Sequence, residues 1–162
     1  MNFEQLFEMQ RQLDQHIEEK HGLQQERLVE RKTLALLVEV GELANETRCF
    51  KFWSVKPPAA NETILEEYVD GIHFLLSLGL ELEIEEHTNI PTSKMNHTLT
   101  DQFLKVYECI SHFQANISQD TYINMFSQYL ILGELLGFSA EDVKRAYIVK
   151  NEVNFQRQEQ GY

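Results

Sequence analysis

The chain has 162 residues, of which 43% are apolar and 25% charged, a composition typical of one globular domain with its own core. Its formal net charge of -12 argues against general binding to nucleic acid or to an anionic membrane, because the field of the protein repels phosphate. No apolar run has the length of a membrane span, and the N-terminal sequence lacks the basic and apolar regions of a signal peptide.

We therefore expect a cytoplasmic protein in which residues 1–162 form one domain. The two cysteines, Cys49 and Cys109, do not have the spacing of a metal site. In a reducing cytoplasm they are predicted to be free thiols.

Long helices are possible because prolines are rare. The three prolines fall in two places, at residues 57–58 and at residue 91. Apolar residues at spacings of three and four predict a first helix that ends near Gly22 and a second helix over about residues 24–47. Two helical segments therefore precede the first prolines.

Residues 48–60 form an aromatic and basic connection between the second and third helices. The two adjacent prolines near its end prevent a continuous helix. Asn61 is predicted as the N-cap of a third helix that runs to about Leu82. The polar residues 83–97 that follow are predicted to form a loop.

Three further helices are predicted in the second half of the chain. Thr98 and Asp101 have the spacing of a capping box at the start of the fourth helix. The fifth helix should span about residues 120–136 and stop at Gly137, and the sixth should follow Ser139. Because strand alternation persists nowhere in the sequence, we predict an all-α bundle of about six helices.

Two pairs of acids stand out within apolar helical runs. Glu39 and Glu42 lie three residues apart in the second helix, and Glu67 and Asp70 have the same spacing in the third. Residues at this spacing share a helix face, so each pair presents two carboxylates in one direction. Four converging carboxylates repel one another unless a cation holds them, and oxygen ligands favour Mg²⁺ or Mn²⁺.

A single pair of this kind is usually solvent-exposed surface charge. The apolar neighbours of these acids and the presence of two pairs favour a metal site instead, because buried acids need partners. Glu46 and Glu66 lie close to the pairs and are secondary candidates for ligands.

The C-terminal segment combines basic and amide side chains. Lys150, Asn154 and Arg157 share one face of the predicted sixth helix and could bind phosphate oxygens.

Two other stretches could contribute to a nucleotide site. Residues 50–54 could present an aromatic face to a base, although a single tryptophan such as Trp53 more often belongs to a core. Gln10 could bind a base edge through its amide. His73 lies on an apolar face, where a hydrogen-bonded core histidine is more common than a ligand.

Together these residues resemble the all-α nucleoside triphosphate pyrophosphatase superfamily, which includes MazG-like enzymes, and within it the dimeric dUTPase family. The four acids carry the resemblance to the superfamily. Four further motifs carry the resemblance to dimeric dUTPases: Gln10-x-x-x-Asp14, Phe50-Lys51-x-Trp53-Ser54-x-Lys56, Asp70-Gly71-x-His73-Phe74, and Lys150-Asn151-x-x-Asn154-x-x-Arg157-Gln158-x-x-Gly161-Tyr162.

The resemblance implies a Mg²⁺-dependent enzyme, with Mn²⁺ as a substitute, that hydrolyses dUTP and dUDP to dUMP by attack of an activated water on the β-phosphate. It implies that Glu39, Glu42, Glu67 and Asp70 are the catalytic and metal-binding residues. Glu39 is the first candidate for the group that takes the proton from the water.

The same resemblance implies the substrate contacts. Gln10 and Trp53 would enclose uracil, and Phe74 would pack on the deoxyribose and exclude a 2′-hydroxyl. The linker lysines and the C-terminal polar residues are the other predicted substrate-binding residues: Lys51, Lys56, Lys150, Asn154 and Arg157. Asp14 is not given a base contact, because some relatives carry Asn at this position.

The family also forms homodimers in which part of each site comes from the neighbouring subunit, and the sequence leaves open which site Trp53 joins. Two other functions remain open from the sequence alone. One is a MazG-like pyrophosphatase of broader specificity. The other is a helical interaction module with surface acids, and binding of a regulatory protein could also accompany enzymatic activity.

Overall fold

The computed structural model describes residues 3–84, 90–92 and 98–161, and these residues form six α-helices and no strand. The all-α prediction is therefore confirmed. None of the described helices is both long enough and apolar enough to cross a bilayer. The helices are α1 (Glu4–His21), α2 (Val29–Thr47), α3 (Asn61–Glu81), α4 (Leu99–Ala115), α5 (Gln119–Leu135) and α6 (Ala140–Glu159).

Helix α3 lies at the centre of the bundle, where it packs against α1, α2, α5 and α6. Its apolar side chains are buried on several faces, and Val69, Ile72 and Leu75 are completely shielded from solvent. A helix that is apolar on most sides is stable only when it is surrounded, as α3 is here. One cluster of buried apolar residues includes side chains from all six helices, so the helices share a single core.

The predicted signals at three helix ends are confirmed. Thr98 and Asp101 form a capping box at the start of α4, and Ser139 and Asp142 form another at the start of α6. Gly137 follows α5 with a φ of 85°, where the amide of Phe138 donates to the carbonyl of residue 133. This Schellman-type end requires the left-handed conformation that glycine adopts without steric cost.

The start of α2 was predicted too early. After α1, Gly22 takes a left-handed conformation with a φ of 66°, and the amide of Glu26 donates to the carbonyl of Leu23 at 2.8 Å. This turn uses the residues that were predicted to begin the helix, and α2 begins only at Val29. The apolar spacing alone could not separate the turn from the helix.

The N-cap of α3 differs from the prediction, and the N-cap of α5 was not predicted. Ala60, in extended conformation, occupies the cap position of α3, and Asn61 is the first helical residue without a capping hydrogen bond. Ser118 caps α5, which therefore begins at Gln119, and it forms its capping box with Thr121. Threonine at this third position is not the acid or amide that the sequence rule seeks.

The long connection between α3 and α4 was predicted as a loop over residues 83–97. Residues 85–89 and 93–97 of this prediction lie outside the described residues. The described residues 90–92 are not helical.

Helices α3 and α5 approach closely through two tyrosines that lie against glycines. The rings of Tyr68 and Tyr129 stack with centroids 4.8 Å apart, and the Tyr129 hydroxyl donates to the Tyr68 carbonyl at 2.8 Å. The Tyr68 hydroxyl donates in return to the Tyr129 carbonyl at 3.3 Å. A Cβ at Gly71 would overlap the Tyr129 hydroxyl, and a Cβ at Gly133 would overlap that of Tyr68. Each glycine therefore makes room for the tyrosine of the other helix.

Gly71→Ala is expected to lower the free energy of unfolding by about 1–3 kcal/mol, because the buried Tyr129 ring must move to accommodate the methyl group. Urea denaturation measures this change. Gly41→Ala is the matched control, since a Cβ at Gly41 would lie 3.1 Å from the hydroxyl of the half-buried Tyr107 and alanine favours the helix by about 1 kcal/mol. Equal stability of the two variants would contradict the packing role of Gly71.

Candidate active site and metal centre

Helices α2 and α3 bring three of the four predicted acids together. Carboxylate oxygens of Glu39, Glu67 and Asp70 all lie within 4.8 Å of one another, and the three residues are half-buried. The i, i+3 spacing on α3 turns Glu67 and Asp70 to one side, where α2 presents Glu39. Three oxygen donors at this separation suit a hard divalent cation such as Mg²⁺ or Mn²⁺.

The electrostatics of this cluster also fit a cation. Burial, followed by the charges of Asp70, Glu42 and Glu67, raises the pKa of Glu39 to about 7. Burial and the charge of Asp70 raise the pKa of Glu67 as well. In the protein without a cation, the cluster therefore holds protons more strongly than separate surface acids do. A bound cation would favour the ionised forms instead.

Glu42 is exposed and lies outside the group of three acids that the described residues form. Its charge nevertheless raises the pKa of both Glu39 and Glu67. Glu46, a secondary candidate, accepts a long hydrogen bond of 3.4 Å from Asn45. The structure thus separates an inner set of three carboxylates from Glu42 at its edge.

Lys150 of α6 reaches the acids of α3. Its Nζ lies 2.8 Å from Glu66 Oε1 and 2.8 Å from Asp70 Oδ2, and only 11% of its side chain is exposed. Burial alone would lower the pKa of Lys150, but the hydrogen bonds to Asp70 and Glu66 raise it. The ammonium therefore stays charged beside the carboxylate cluster.

The same ammonium affects its two partners differently. The hydrogen bond from Lys150 lowers the pKa of Glu66, whose side chain is 57% exposed. Asp70 is only 18% exposed, and burial raises its pKa although Lys150 opposes this shift. Of the two carboxylates, Asp70 thus has the greater need for an additional cation.

A cleft of about 420 Å³ opens beside the cluster, a volume in the range of small-molecule sites. It joins two acids of the carboxylate cluster to four of the predicted substrate-binding residues. The residues that line it are Gln10, Leu13, Asp14, Ile17, Glu18, Leu28, Lys32, Glu39, Asp70, His73, Phe74, Ser77, Asn154 and Arg157. Residues of α1, α2, α3 and α6 therefore line one cavity.

Gln10 is buried in this cleft and is bound by other side chains. Its Nε2 donates to Asp14 Oδ1 at 2.7 Å, and its Oε1 accepts from the Tyr147 hydroxyl at 2.7 Å. His73 Nδ1 lies 2.8 Å from the same Oε1. Tyr147 was not among the site residues predicted from the sequence. His73 was expected to be a hydrogen-bonded core histidine; it is buried and hydrogen-bonded, and it also lines the cleft. The placement of His73 one turn after Asp70 was the available signal.

The linker residues lie elsewhere in the subunit. Trp53 is 65% exposed and packs edge-on against Phe52, with ring centroids 5.0 Å apart. Lys51 is half-buried beside Asn45 and Phe50, and Lys56 is exposed. None of the predicted linker contacts, Lys51, Trp53 and Lys56, lines the cleft of its own chain.

Hydrogen bonds nevertheless give the linker a defined conformation. Arg48 donates to the Ser54 hydroxyl at 2.5 Å and to the Lys56 carbonyl at 3.1 Å. The amide of Ala59 donates to the carbonyl of Glu46 at 3.0 Å, which returns the chain to the end of α2. The exposed aromatic rings are therefore held outward by an ordered backbone.

Two other clefts lack this combination of groups. One, of about 470 Å³, surrounds Lys32 with the acids Asp14, Glu18 and Glu81. The other, of about 490 Å³, lies between α3 and α6 and is mainly apolar. Neither is lined by Glu39 or by Asp70.

Comparison with known families gives one match over almost the whole chain. The family model described as dUTPase matches residues 2–162. No curated protein matches the chain. The match spans every helix that contributes to the acid cluster and the cleft. The chain therefore belongs to the dUTPase family, the all-α hydrolases that act as dUTP diphosphatases.

Proposed function

We propose that this dUTP diphosphatase uses Mg²⁺ held by Glu39, Glu67 and Asp70, with Glu42 at the edge of the site, and that it also accepts dUDP. The main support for this proposal is that Glu39 and Asp70 belong to the carboxylate cluster and also line the cleft of about 420 Å³. Mn²⁺ would substitute, because the donor set is oxygen only. A cytoplasmic location and a regulatory protein partner stay predictions from the sequence.

Glu39 is the proposed general base. It is the member of the cluster that comes from α2, and it lines the cleft beside Asp70, so a water held there would lie close to its carboxylate. When bound, Mg²⁺ would lower the pKa of a water and neutralise charge on the polyphosphate. Glu39 would then take the proton from the water that attacks the β-phosphate.

Residues of α6 are proposed to bind the phosphates. Asn154 and Arg157 line the cleft, and Lys150 stands at its acidic end through its contact with Asp70. An amide, a guanidinium and an ammonium together offer the donors that phosphate oxygens need. They also give this strongly acidic chain the local positive charge that a triphosphate requires.

The base and sugar are proposed to occupy the part of the cleft formed by α1 and α3. Phe74 follows Asp70 by one turn and is half-buried at the wall, which suits packing against the deoxyribose. Gln10 has one further N–H on Nε2 beyond its hydrogen bond to Asp14, and this donor is available for a uracil carbonyl.

The linker is proposed to complete the site of a second subunit. Trp53 and Phe52 project from an ordered backbone into solvent and do not line their own cleft, so in a homodimer they could cover the cleft of the neighbour. Leu34 and Val38, one turn apart on α2, are 63% and 50% exposed. Leu104, on the adjoining α4, is 64% exposed. Exposed apolar surface of this kind is typical of an interface.

Purified protein with Mg²⁺ is expected to release pyrophosphate from dUTP and leave dUMP. Glu39→Gln should lower kcat by about 10²–10⁴-fold, because the amide cannot take the proton from water. Glu62→Gln, which changes an exposed acid of α3, should keep wild-type kcat and serves as the control. Release of orthophosphate alone, with dUDP as the product, would contradict the proposed reaction. Undiminished kcat in Glu39→Gln would contradict the role of Glu39.

Metal-free stability is expected to depend on the protonation of Glu39. Its raised pKa means that the folded state holds this proton between its ordinary pKa of 4.5 and about 7, where the unfolded chain has lost it. Raising the pH through this window therefore removes stability. In EDTA, the wild type should lose stability between about pH 5 and about pH 8, so the Tm of Glu39→Gln minus that of the wild type should increase over this range. Added Mg²⁺ should raise the wild-type Tm more at the higher pH. A pH-independent difference between the two proteins would contradict this expectation.

Val38→Asp is expected to convert a homodimer into monomers, because an acid on the exposed face of α2 would be buried without a partner at the interface. Sedimentation equilibrium measures the association. Val149→Asp is the control, since Val149 is 58% exposed but lies on α6, away from the α2 face. A wild-type monomer with full activity would contradict the proposed dimeric site.

A further inference from the structure

The floor of the cleft contains a chain of hydrogen bonds that begins at Asp14. Asp14 Oδ2 accepts from the Ser77 hydroxyl at 2.5 Å and from Lys32 Nζ at 3.4 Å, and Oδ1 accepts from Gln10 Nε2 at 2.7 Å. An ionised carboxylate can only accept hydrogen bonds. The NH₂ group of Gln10 must therefore face Asp14, and its carbonyl oxygen must face the opposite way.

This orientation fixes the proton on the next residue. Gln10 Oε1 accepts from the Tyr147 hydroxyl at 2.7 Å and faces His73 Nδ1 at 2.8 Å. A carbonyl oxygen cannot donate, so His73 must carry its proton on Nδ1. Tyr147 also stacks on the imidazole, with centroids 4.1 Å apart, and so fixes the plane of the ring.

The other ring nitrogen of His73 is an unused acceptor. His73 is 5% exposed, and within the described part of the chain its Nε2 has no hydrogen-bond partner. Burial, followed by the charge of Lys150, lowers the pKa of His73 to about 3, so the ring is neutral. A buried acceptor without a partner costs free energy, and a residue that lines the cleft can recover this cost from a ligand.

We propose that Asp14, acting through Gln10, sets the tautomer of His73, so that His73 Nε2 accepts a hydrogen bond from an N–H or O–H group of the bound nucleotide. Asp14 is a positioning residue in this scheme, and His73 is a specificity-determining residue. The inference rests on the proposed function for the identity of the ligand. The tautomer of His73 does not depend on it.

Asparagine at position 14 should reverse the whole chain of hydrogen bonds. Lys32 and Ser77 donate to the Oδ2 position, so the carbonyl oxygen of an asparagine would occupy it and the NH₂ group would face Gln10. Gln10 would then turn its own carbonyl towards position 14 and its NH₂ group towards His73. His73 would accept at Nδ1 and carry its proton on Nε2, where it could no longer accept from a ligand.

The tautomer is measured directly by long-range ¹H–¹⁵N correlation NMR on the substrate-free, histidine-labelled full chain. The signals of His73 are identified by their loss in His73→Gln. In the wild type we expect the proton on Nδ1, and in Asp14→Asn we expect it on Nε2. A wild-type proton on Nε2, or an unchanged tautomer in Asp14→Asn, would overturn the proposal.

Two further variants distinguish control of the His73 tautomer through Gln10 from a general disturbance of the cleft. Gln10→Glu with Asp14→Asn exchanges the carboxylate and the amide at constant net charge, and the proton should return to Nδ1 because the new carboxylate accepts from His73. Ser77→Ala removes a hydrogen bond to Asp14 but leaves its carboxylate, so the proton should stay on Nδ1. The opposite result in either variant would contradict the claim that Asp14 sets the tautomer of His73 through Gln10.

Steady-state kinetics test the role in binding. His73→Phe, which keeps a buried ring but removes the Nε2 acceptor, should lower kcat/KM for dUTP about tenfold or more. A rise in KM should account for most of the loss, because the donor group of the ligand would lose its acceptor in the protein. A lower kcat with unchanged KM would contradict a recognition role. If the wild type does not hydrolyse dUTP at all, the proposed function fails, while the NMR result still decides whether Asp14 controls the tautomer.

Discussion

The partial burial of three neighbouring carboxylates is the constraint on which the rest of this structure depends. Glu39, Glu67 and Asp70 are held within 4.8 Å of one another by two helices that cannot separate without opening the core. Lys150 offsets part of this charge through Asp70. Burial raises the pKa of all three acids, and the charges of neighbouring carboxylates add to the shift of Glu39 and Glu67. Such an arrangement stores free energy that a divalent cation can release on binding.

Helix α3 serves both the core and the site because its faces differ. On one side, Gly71 admits the ring of Tyr129 and brings α5 into contact with α3. On another, Asp70 and Phe74 line the cleft. The packing of Tyr129 against Gly71 thus fixes the helix immediately beside Asp70 of the carboxylate cluster. A small shift of α3 would move both the acids and the cleft wall, so the stability of the core and the geometry of the site are coupled.

Much of this architecture could be predicted from the sequence. Capping signals such as Ser139 with Asp142, and a stop at Gly137, are local, and local chemistry determines them. The i, i+3 acid pairs likewise follow from helix periodicity alone. The start of α2 could not be predicted, because the turn after Gly22 and a helical start have the same apolar spacing.

The hydrogen-bond network around Gln10 could not be predicted from the sequence either, because it joins residues of α1, α3 and α6 that are distant along the chain. The exposure of Glu42 and the outward placement of Trp53 depend on tertiary packing in the same way. Anomalous diffraction from crystals of the chain with Mn²⁺ and a non-hydrolysable dUTP analogue tests the central claim most directly. The account predicts manganese bound by oxygens of Glu39, Glu67 and Asp70, with the nucleotide in the adjoining cleft. Manganese bound instead among the acids around Lys32, or no ordered manganese beside the nucleotide, would contradict it.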